Sequence, residues 1–402
     1  MGDWPAMQQF IRQLTGVRFL AAAWVMLYHF QDPLDRIHLL VPVLHDTLRV
    51  GRLGVDLFFA LSGFILTHTY LTKLGPRLHR SGTLRFWWLR LARIYPVHFV
   101  MLNVAGLAVI AQQKLGVGDS SSREWLNPVD YLKQVLLVQE WGPDPQRGWN
   151  FPAWSLSMEW LAYLLFPLLV LVLFRFRDRL ATGWLCVAWV VVLIPLIWYG
   201  ITYTGDSYYI SGWGSTIRIL TEFTAGAITY LIVSRLGEIA PRSRPERLAT
   251  TLSFVLPGLL VIGAVVLGSL PALQWPGAGP NEPPRLHLVL VPLLVAWIGT
   301  LAVSRRGLVP FLSTDRLVLG GYISYSLYMT HTVWYGLWRA GLGAVGIEGG
   351  PIYAVGVVLL FAVAITVAWL MWRWVEEPAR EWMRRRVGAR PKPVEDLALE
   401  GR

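Results

Sequence analysis

Two residues that could do chemistry stand eleven positions apart in a short apolar run. In RFLAAAWVMLYHF, Arg18 opens the run and His29 stands one residue before its end. At about 3.6 residues per turn, eleven positions are three helical turns, so both side chains share one face, roughly 16 Å apart along the axis. A charged group inside hydrocarbon costs about 2.5–3.5 kcal/mol on insertion scales, which makes each such residue a functional candidate. We therefore expect this helix to line a cavity with its polar face.

Three further titratable residues, Asp56, Glu159 and His331, lie in apolar segments. Counted from the predicted span ends, Glu159 lies about 10 Å below the outer boundary and His331 about 20 Å above the inner one. In a hydrocarbon core of about 30 Å these depths nearly coincide with that of His29, and Asp56 lies closer to the outside. Two imidazoles and two carboxylates in one layer provide a general base and a group that orients it.

Each of these residues also has a purely structural interpretation. Either histidine can be packed or hydrogen-bonded inside a helix bundle. Asp56 can serve as an N-cap-like carboxylate at a helix start, and Glu159 can belong to a structural ion pair. The convergence of several groups at one depth favours the chemical interpretation.

Arg90 and Arg93 stand at positions i and i+3 of RFWWLRLARIYP, on one helix face. With Arg18 nearby in depth, these guanidinium groups could bind phosphates in a bidentate manner. The alternative is that they belong only to the positive charge that membrane proteins carry on the cytoplasmic side. The sequence has no glycine-rich phosphate loop, Walker lysine or zinc-ligand spacing, which argues against an NTPase or a metalloenzyme.

Composition shows which elements must position these residues. The chain is 54% hydrophobic and 15% charged, whereas an ordinary soluble domain is about 25% charged. Spans of about 20 mainly apolar residues predict an all-α, polytopic bundle of about ten transmembrane helices. The predicted spans are 12–30, 53–71, 91–112, 152–174, 180–202, 216–234, 251–270, 286–304, 317–341 and 352–375.

The connecting segments alternate in charge. Positive residues concentrate in segments 72–90, 175–180 and 235–250 and in the C-terminal tail, and the intervening loops are poorer in them. By the positive-inside rule both termini are cytoplasmic, in a multi-pass protein of the cell membrane. The net charge of +11 is explained in this way, so it does not indicate a nucleic-acid partner.

The remaining features bear on organisation. The one cysteine, Cys186, lies in an apolar run, which excludes a disulfide framework. No small-x-small cleavage site follows the first apolar run, so we expect no cleaved signal peptide. We assign residues 1–386 to a single transmembrane domain and residues 387–402 to a disordered cytoplasmic tail.

The longest outer connection, residues 113–151, contains a predicted interfacial helix, VDYLKQVLLVQEW. Many of the 21 tryptophans of the chain lie near span ends and in outer loops. An interfacial aromatic belt explains most of them, and stacking against a sugar ring is the alternative.

Six motifs carry a resemblance to a known family. They are LTGVRFLAAAWVMLYHF with Arg18 and His29, GRLGVDLFFALSGFIL with Gly54, Asp56, Phe58, Ser62 and Gly63, RLARIYP with Arg90 and Arg93, PAWSLSMEWLAYLLFP with Glu159, ISYSLYMTHTVW with His331, and VEEPAREWMRRR. The chain resembles acyltransferase family 3, whose members are integral membrane O-acyltransferases. The matches run from about residue 12 to residue 386.

The resemblance implies a cytoplasmic acyl-CoA donor, most often acetyl-CoA, as co-substrate, with no bound cofactor and no metal. It implies an acceptor hydroxyl on a glycan, a lipid-linked sugar or a small molecule such as an antibiotic. Many members that modify glycans carry an appended esterase-like domain. This chain ends soon after the tenth predicted span, so we expect none here. Membrane lipids are the other expected partners, and a homo-oligomer is compatible with the sequence.

The resemblance also suggests roles. Arg18, Arg90 and Arg93 would hold the donor phosphates, and His29 would deprotonate the acceptor, with Glu159 or Asp56 orienting its imidazole. The residues expected at the substrate are His331, Tyr325, Trp154 and Ser62, and the oxyanion donor is Ser62, Ser155 or Tyr325. A transient acyl-histidine is an alternative to direct transfer.

Two other classes of function remain open. A proton-coupled transporter or flippase of a glycan or lipid intermediate would use intramembrane histidines and carboxylates as a proton relay. A non-catalytic receptor would account for the aromatic outer loops, but it gives no reason for the arginine–histidine spacing or for the paired arginines.

Overall fold

The structure is a computed structural model that describes residues 5–117, 126–142, 149–202, 212–236, 243–270 and 286–388. Within these ranges the chain is helical and contains no strand, which confirms the all-α class for this part of the protein. Its α-helices are α1 (Pro5–His29), α2 (Gln31–Arg36), α3 (Pro42–Arg49), α4 (Leu53–Leu74), α5 (Arg80–Lys114), α6 (Pro128–Val135), α7 (Ala153–Phe176), α8 (Thr182–Thr202), α9 (Gly212–Arg235), α10 (Arg244–Ser269), α11 (Val291–Val303), α12 (Val309–Leu312), α13 (Asp315–Ala344), α14 (Gly350–Met371) and α15 (Glu377–Arg385). A 3₁₀ turn, His287–Leu290, precedes α11, and a π-helical turn, Trp372–Glu376, joins α14 to α15.

Seven of the described helices are long and apolar enough to cross a membrane. They are α4, α5, α7, α8, α9, α10 and the continuous helix that contains α14 and α15. The other three predicted spans coincide with α1, α11 and α13. The first and last of these three carry the polar site residues, and α11 is only 13 residues long. The molecule is therefore a helical membrane protein, and the count of ten spans and the cytoplasmic location of both termini stay predictions.

Helices α1 and α13 pack side by side and run parallel. An added Cβ at Gly321 would lie 2.0 Å from the carbonyl oxygen of Thr15, so the two backbones are in contact there. Farther along both helices, His29 contacts His331. Small residues allow helix backbones in membranes to approach this closely. This packing brings the two histidines of the site together.

Helices α4 and α9 form the second close pair and are also parallel. Asp56 contacts Arg218, and twelve residues farther along each helix the rings of His68 and Tyr230 lie 5.4 Å apart. Between these contacts, a Cβ added at Gly63 would lie 1.9 Å from a backbone carbonyl oxygen of α9. A glycine is required at this position because any side chain would separate the helices.

Helix α5 is longer than predicted, since it begins at Arg80 instead of near residue 91. Its first turns carry arginines that the sequence assigned to a loop, but they also bury Phe86, which is 1% exposed. The indole of Trp88 donates a hydrogen bond to the carbonyl oxygen of Met383 in α15 (2.7 Å). Packing against α15 therefore extends the helix beyond its apolar stretch.

The connection between α5 and α7 reaches into the bundle. The predicted interfacial helix is α6, which is capped by Asn127, whose side chain accepts a hydrogen bond from the backbone N–H of Val129. After α6 the chain is buried at Gln139 and Glu140, which are 1% and 0% exposed. Parts of the predicted outer loop, residues 118–125 and 143–148, lie outside the described residues, and so do residues 389–402 of the predicted tail.

Candidate active site

His29 and His331 are in direct contact. The Nδ1 atom of His29 lies 3.1 Å from Nε2 of His331 and 2.9 Å from the carbonyl oxygen of Val25. The Nδ1 atom of His331 lies 2.7 Å from the carbonyl oxygen of Tyr328. The sequence placed both imidazoles at one depth, and the structure brings them together.

These distances assign the hydrogen positions. A carbonyl oxygen can only accept, so Nδ1 of His331 donates and its Nε2, in the neutral ring, is an acceptor. Nδ1 of His29 must then be the donor toward both Val25 and His331. The assignment follows from the hydrogen-bond network, and it leaves Nε2 of His29 with a free lone pair. His29 is therefore able to accept a proton through Nε2.

A small cavity lies against His29. Its volume is about 20 Å³, which is room for about one water molecule. The other lining residues are Val25, Arg52, Val55, Phe151, Pro152, Trp154 and Tyr328. The guanidinium of Arg52 is held 4.8 Å from the ring centre of Tyr28, so a positive charge stands at the wall of this cavity.

The three predicted arginines form a second site, here called the arginine cluster: Arg18, Arg90 and Arg93. Arg93 and Glu159 lie close enough to Arg18 for their charges to interact with it. The guanidinium of Arg90 lies 5.8 Å from the ring centre of Tyr70. In the part of the chain that the structure describes, the buried Nε atoms of Arg18 and Arg90 have no hydrogen-bond partner. Because a buried donor without a partner costs about 1–3 kcal/mol, both atoms are suited to bind an anionic group.

Arg93 is paired with Glu376 at the end of the π-helical turn. The other carboxylate oxygen of Glu376 accepts a hydrogen bond from Ser326 Oγ at 2.7 Å, and Glu376 is 0% exposed. A buried carboxylate is tolerated only when it is paired and hydrogen-bonded. Glu376 therefore holds Arg93 in place from the C-terminal end of the chain.

Glu159 belongs to the arginine cluster and not to the His29 cavity. One of its oxygens accepts hydrogen bonds from Ser62 Oγ, at 2.8 Å, and from the hydroxyl of Tyr163. The sequence-based prediction put Glu159 at the depth of His29, because it took the start of α7 as the outer boundary of the hydrocarbon core. Pro152, at the N-cap of α7, already lines the His29 cavity, so Glu159 lies about 10 Å farther along the helix axis.

Asp56 also points away from His29. Its two oxygens accept hydrogen bonds from Nε and Nη2 of Arg218 at 2.9 and 2.8 Å, and both side chains are buried. Successive helical residues are about 100° apart around the axis, so Val55 lines the His29 cavity while Asp56 faces α9. The group that contacts His29 is His331, where the sequence predicted Glu159 or Asp56.

The other predicted substrate residues divide between the two sites. Trp154 lines the His29 cavity, and Ser155 Oγ lies 2.8 Å from the hydroxyl of Tyr328 beside it. The hydroxyl of Tyr325 donates to the carbonyl oxygen of Ile94, next to Arg93. Ser62 lies at Glu159. The two sites are therefore separate layers of the bundle, joined by α1, α7 and α13.

Several residues of this arrangement were not predicted as site residues. Arg218 stands inside a predicted span, and its residue type alone was a signal. Tyr163 is four residues after Glu159, on the same helix face. Glu376 lies in a motif that carried the resemblance, and Arg52 directly precedes α4. No spacing rule connects Glu376 with Arg93, because the contact spans 283 positions.

Comparison with known proteins identifies a family and two relatives. The profile of a family described as an acyltransferase domain matches residues 11–373. Acyltransferase MdmB of Streptomyces mycarofaciens is 30% identical over 235 residues, which are 55% of this chain and 57% of that protein. O-acetyltransferase OatA of Staphylococcus aureus (strain NCTC 8325 / PS 47) is 24% identical over 339 residues, 80% of this chain and 50% of that protein.

The chain spans about half the length of both relatives that it matches. No solved structure matches it.

Proposed function

This chain belongs to the acyltransferase domain family, and on that premise we propose that it moves an acyl group from cytoplasmic acyl-CoA to a hydroxyl of an acceptor bound nearer the outer face. The acyl group is most simply acetyl, as in the name of the O-acetyltransferase relative. The observation that carries the proposal is the His29–His331 contact, which leaves Nε2 of His29 unprotonated.

The arginine cluster is the proposed site of the donor phosphates. Phosphate oxygens would accept hydrogen bonds from guanidinium N–H groups, among them the free Nε atoms of Arg18 and Arg90. Arg18 and His29 are eleven residues apart on α1, or about 16 Å along the axis. This distance suits an extended pantetheine arm with its thioester at His29.

His29 is the proposed general base. Its Nε2 removes the proton of the acceptor hydroxyl while the hydroxyl oxygen attacks the thioester carbonyl carbon. The carbon–sulfur bond then breaks, and the proton on Nε2 passes to the leaving thiolate, so the products are the acyl ester and free CoA. His331 holds the imidazole in the required tautomer, the role that the third group has in catalytic triads.

Arg52 is the proposed stabiliser of the negative charge that develops on the carbonyl oxygen. It lines the same cavity as His29, and a preorganised cation or donor there acts strongly because water is excluded. Tyr328 lines the same cavity and Ser155 bonds to its hydroxyl, and these two are the neutral alternatives. Ser62 and Tyr325 lie at the arginine cluster and are not suited to this role.

The proposal needs a fixed orientation in the membrane. We propose that residues 1–386 form one domain of ten spans in the cell membrane, with both termini cytoplasmic. Parallel packing supports this arrangement, because α1 with α13 and α4 with α9 run in the same direction, as spans 1 and 9 and spans 2 and 6 must. The arginine cluster is then on the cytoplasmic side of His29.

The test is acyl transfer by the protein purified in nanodiscs, with labelled acetyl-CoA and a panel of hydroxyl acceptors. We expect CoA release that depends on an acceptor, and a decrease of about 10²–10⁴-fold in kcat for His29→Gln, the usual contribution of a general base. His98→Gln is the control, because His98 is a buried histidine that binds the carbonyl oxygen of Gln134 in another part of the bundle.

Undiminished turnover by folded His29→Gln would reject the general-base role. Movement of an unmodified glycan or lipid across the bilayer, driven by a pH gradient and without CoA release, would instead favour the transporter class.

A further inference from the structure

A large groove opens beside the candidate active site, between α5 and α13. The two helices are in contact nearer their N-terminal ends, where the hydroxyl of Tyr325 donates a hydrogen bond to the carbonyl oxygen of Ile94. The groove lies between their C-terminal turns, over residues 105–117 and 332–344. Its volume is about 670 Å³, within the range of about 300–1,000 Å³ that small-molecule sites have. Neither the arginine cluster nor the His29 cavity uses it.

The groove exists because both helices present small residues on the facing sides. Gly336 and Gly343 of α13 line it, and a Cβ built at either glycine meets no atom within 4 Å. Ala105 and Ala108 of α5 line the other side. Larger side chains at these four positions would fill the space, so the groove is open because these residues are glycine and alanine.

The floor of the groove is residues 149–151. Trp149 packs against α5, where a Cβ at Gly106 would lie 2.5 Å from its ring. Asn150 is 1% exposed, lines the groove, and has an Oδ1 atom without a hydrogen-bond partner among the described residues. A buried amide oxygen with no partner is suited to accept a hydrogen bond from a ligand hydroxyl.

Phe151 links the groove to His29. It lines both the groove and the His29 cavity, and its ring centre lies 6.3 Å from that of His29. One aromatic side chain therefore separates a ligand-sized space from the proposed base. A hydroxyl that passes Phe151 would reach Nε2 of His29.

The lining also indicates a class of ligand. Polar groups of Asn150, Gln112 and Thr332 and the guanidinium of Arg339 offer hydrogen bonds to several hydroxyls, while alanine, glycine and valine side chains form an apolar wall. A sugar joined to an apolar aglycone has both properties, whereas a free sugar would leave the apolar wall uncovered. We propose that this groove is the acceptor site, that it binds a glycoside with an apolar aglycone, and that Phe151 limits which hydroxyls reach His29. This inference rests on the acyl transfer proposed above.

The test uses a photoreactive octyl β-glucoside, with a diazirine on the alkyl chain, and the protein in copolymer-extracted nanodiscs free of glycoside detergent. We expect labelled peptides from residues 105–117 and 332–344, and competition by octyl glucoside at concentrations at least tenfold below those needed with methyl glucoside. Labelling elsewhere, or equal competition by the two glucosides, would overturn the assignment.

A matched pair of variants isolates the groove. Gly336→Leu adds a side chain to the open space of the groove, and Gly341→Leu adds the same side chain to the same helix where nothing lies within 4 Å and outside the groove lining. We expect Gly336→Leu to decrease labelling at least tenfold and Gly341→Leu to leave it unchanged. Equal labelling by both variants would overturn the proposal.

Labelling does not depend on turnover, so the two proposals fail separately. Labelling of the groove without any CoA release would reject acyl transfer and leave the binding site standing. CoA release with an acceptor, unaffected by Gly336→Leu, would reject the groove and leave acyl transfer standing.

Discussion

At the scale of single residues, the contact between His29 and His331 defines the proposed chemistry. Because His331 accepts through Nε2, it needs only to offer an acceptor to Nδ1 of His29. A glutamine can offer a carbonyl oxygen in the same region, and a leucine cannot. The two substitutions therefore separate an orienting role from mere packing.

We expect His331→Leu to lower kcat by about 10²–10⁴-fold with little change in the KM for acyl-CoA, since misorienting the base affects the transition state more than donor binding. His331→Gln should retain a clear part of the lost rate. Steady-state kinetics with varied acyl-CoA measures both quantities. A rise in KM without a change in kcat, or an equal decrease of kcat in the two variants, would contradict this role.

The arginine cluster gives a second prediction at this scale. Arg90→Gln should weaken CoA binding by about 10–100-fold, because a hydrogen bond to a charged group contributes about 1.5–3 kcal/mol. Arg85→Gln is the control, since Arg85 is an exposed arginine on the same helix. Calorimetric titration with CoA at two salt concentrations provides the affinities, and we expect the difference between the variants to shrink at high salt. Equal affinities would reject the donor site.

The positions of single residues could be predicted from the sequence where the regular repeat of a helix alone determines them. The spacing of Arg18 and His29 placed them on one face because a helix repeats regularly. It misplaced Glu159 because depth along α7 depends on where the preceding loop enters the bundle, and no local pattern encodes that. The Arg93–Glu376 contact depends on the packing of α15 against α5, which lies beyond any local pattern.

At the scale of elements, close helix pairs set the geometry of both sites. The α4–α9 pair holds Asp56 against Arg218 and places Ser62 beside Glu159, and it depends on Gly63. All ten predicted spans contain a described helix because long apolar runs are a strong local signal. The start of α5 and the end of the continuous helix formed by α14 and α15 extend beyond the predicted spans, because packing against other helices, and not apolar length, sets them.

We expect Gly63→Ala to destabilise the protein by about 1–3 kcal/mol, the usual cost of overpacking, because the new Cβ would meet a backbone oxygen of α9. Gly258→Ala is the control, since a Cβ there meets no atom within 4 Å, and it should be neutral or stabilising by about 0.5–1 kcal/mol. Thermal unfolding in detergent, followed by intrinsic fluorescence, compares the two. Equal Tm values would show that the helices can move apart without cost.

At the scale of the whole molecule, the proposed orientation places donor and acceptor on opposite sides of His29. The parallel helix pairs agree with ten crossings, and cysteine labelling tests their orientation in the membrane. The charge alternation of the loops predicted this arrangement from sequence, and the structure contributes the direction of the helices relative to one another.

We expect Val345→Cys to react with a membrane-impermeant maleimide in intact cells and Arg80→Cys to react only in inverted vesicles. Val345 is 66% exposed after α13, and Arg80 begins α5. Both variants are made with Cys186→Ala, which removes the one native thiol. The reverse pattern of labelling would show that the orientation in the membrane is opposite to the proposed one, and it would exclude a cytoplasmic donor at the arginine cluster.

The pairing of Arg93 with Glu376 has a consequence for biosynthesis. Arg93 enters the membrane early, but its carboxylate partner is translated only after every helix from α5 to α14. Until then Arg93 lacks the buried carboxylate that it contacts in the finished fold. We therefore expect the arginine cluster to reach its final geometry only after α14 has been synthesised and packed, so the donor site would be among the last parts of the molecule to form.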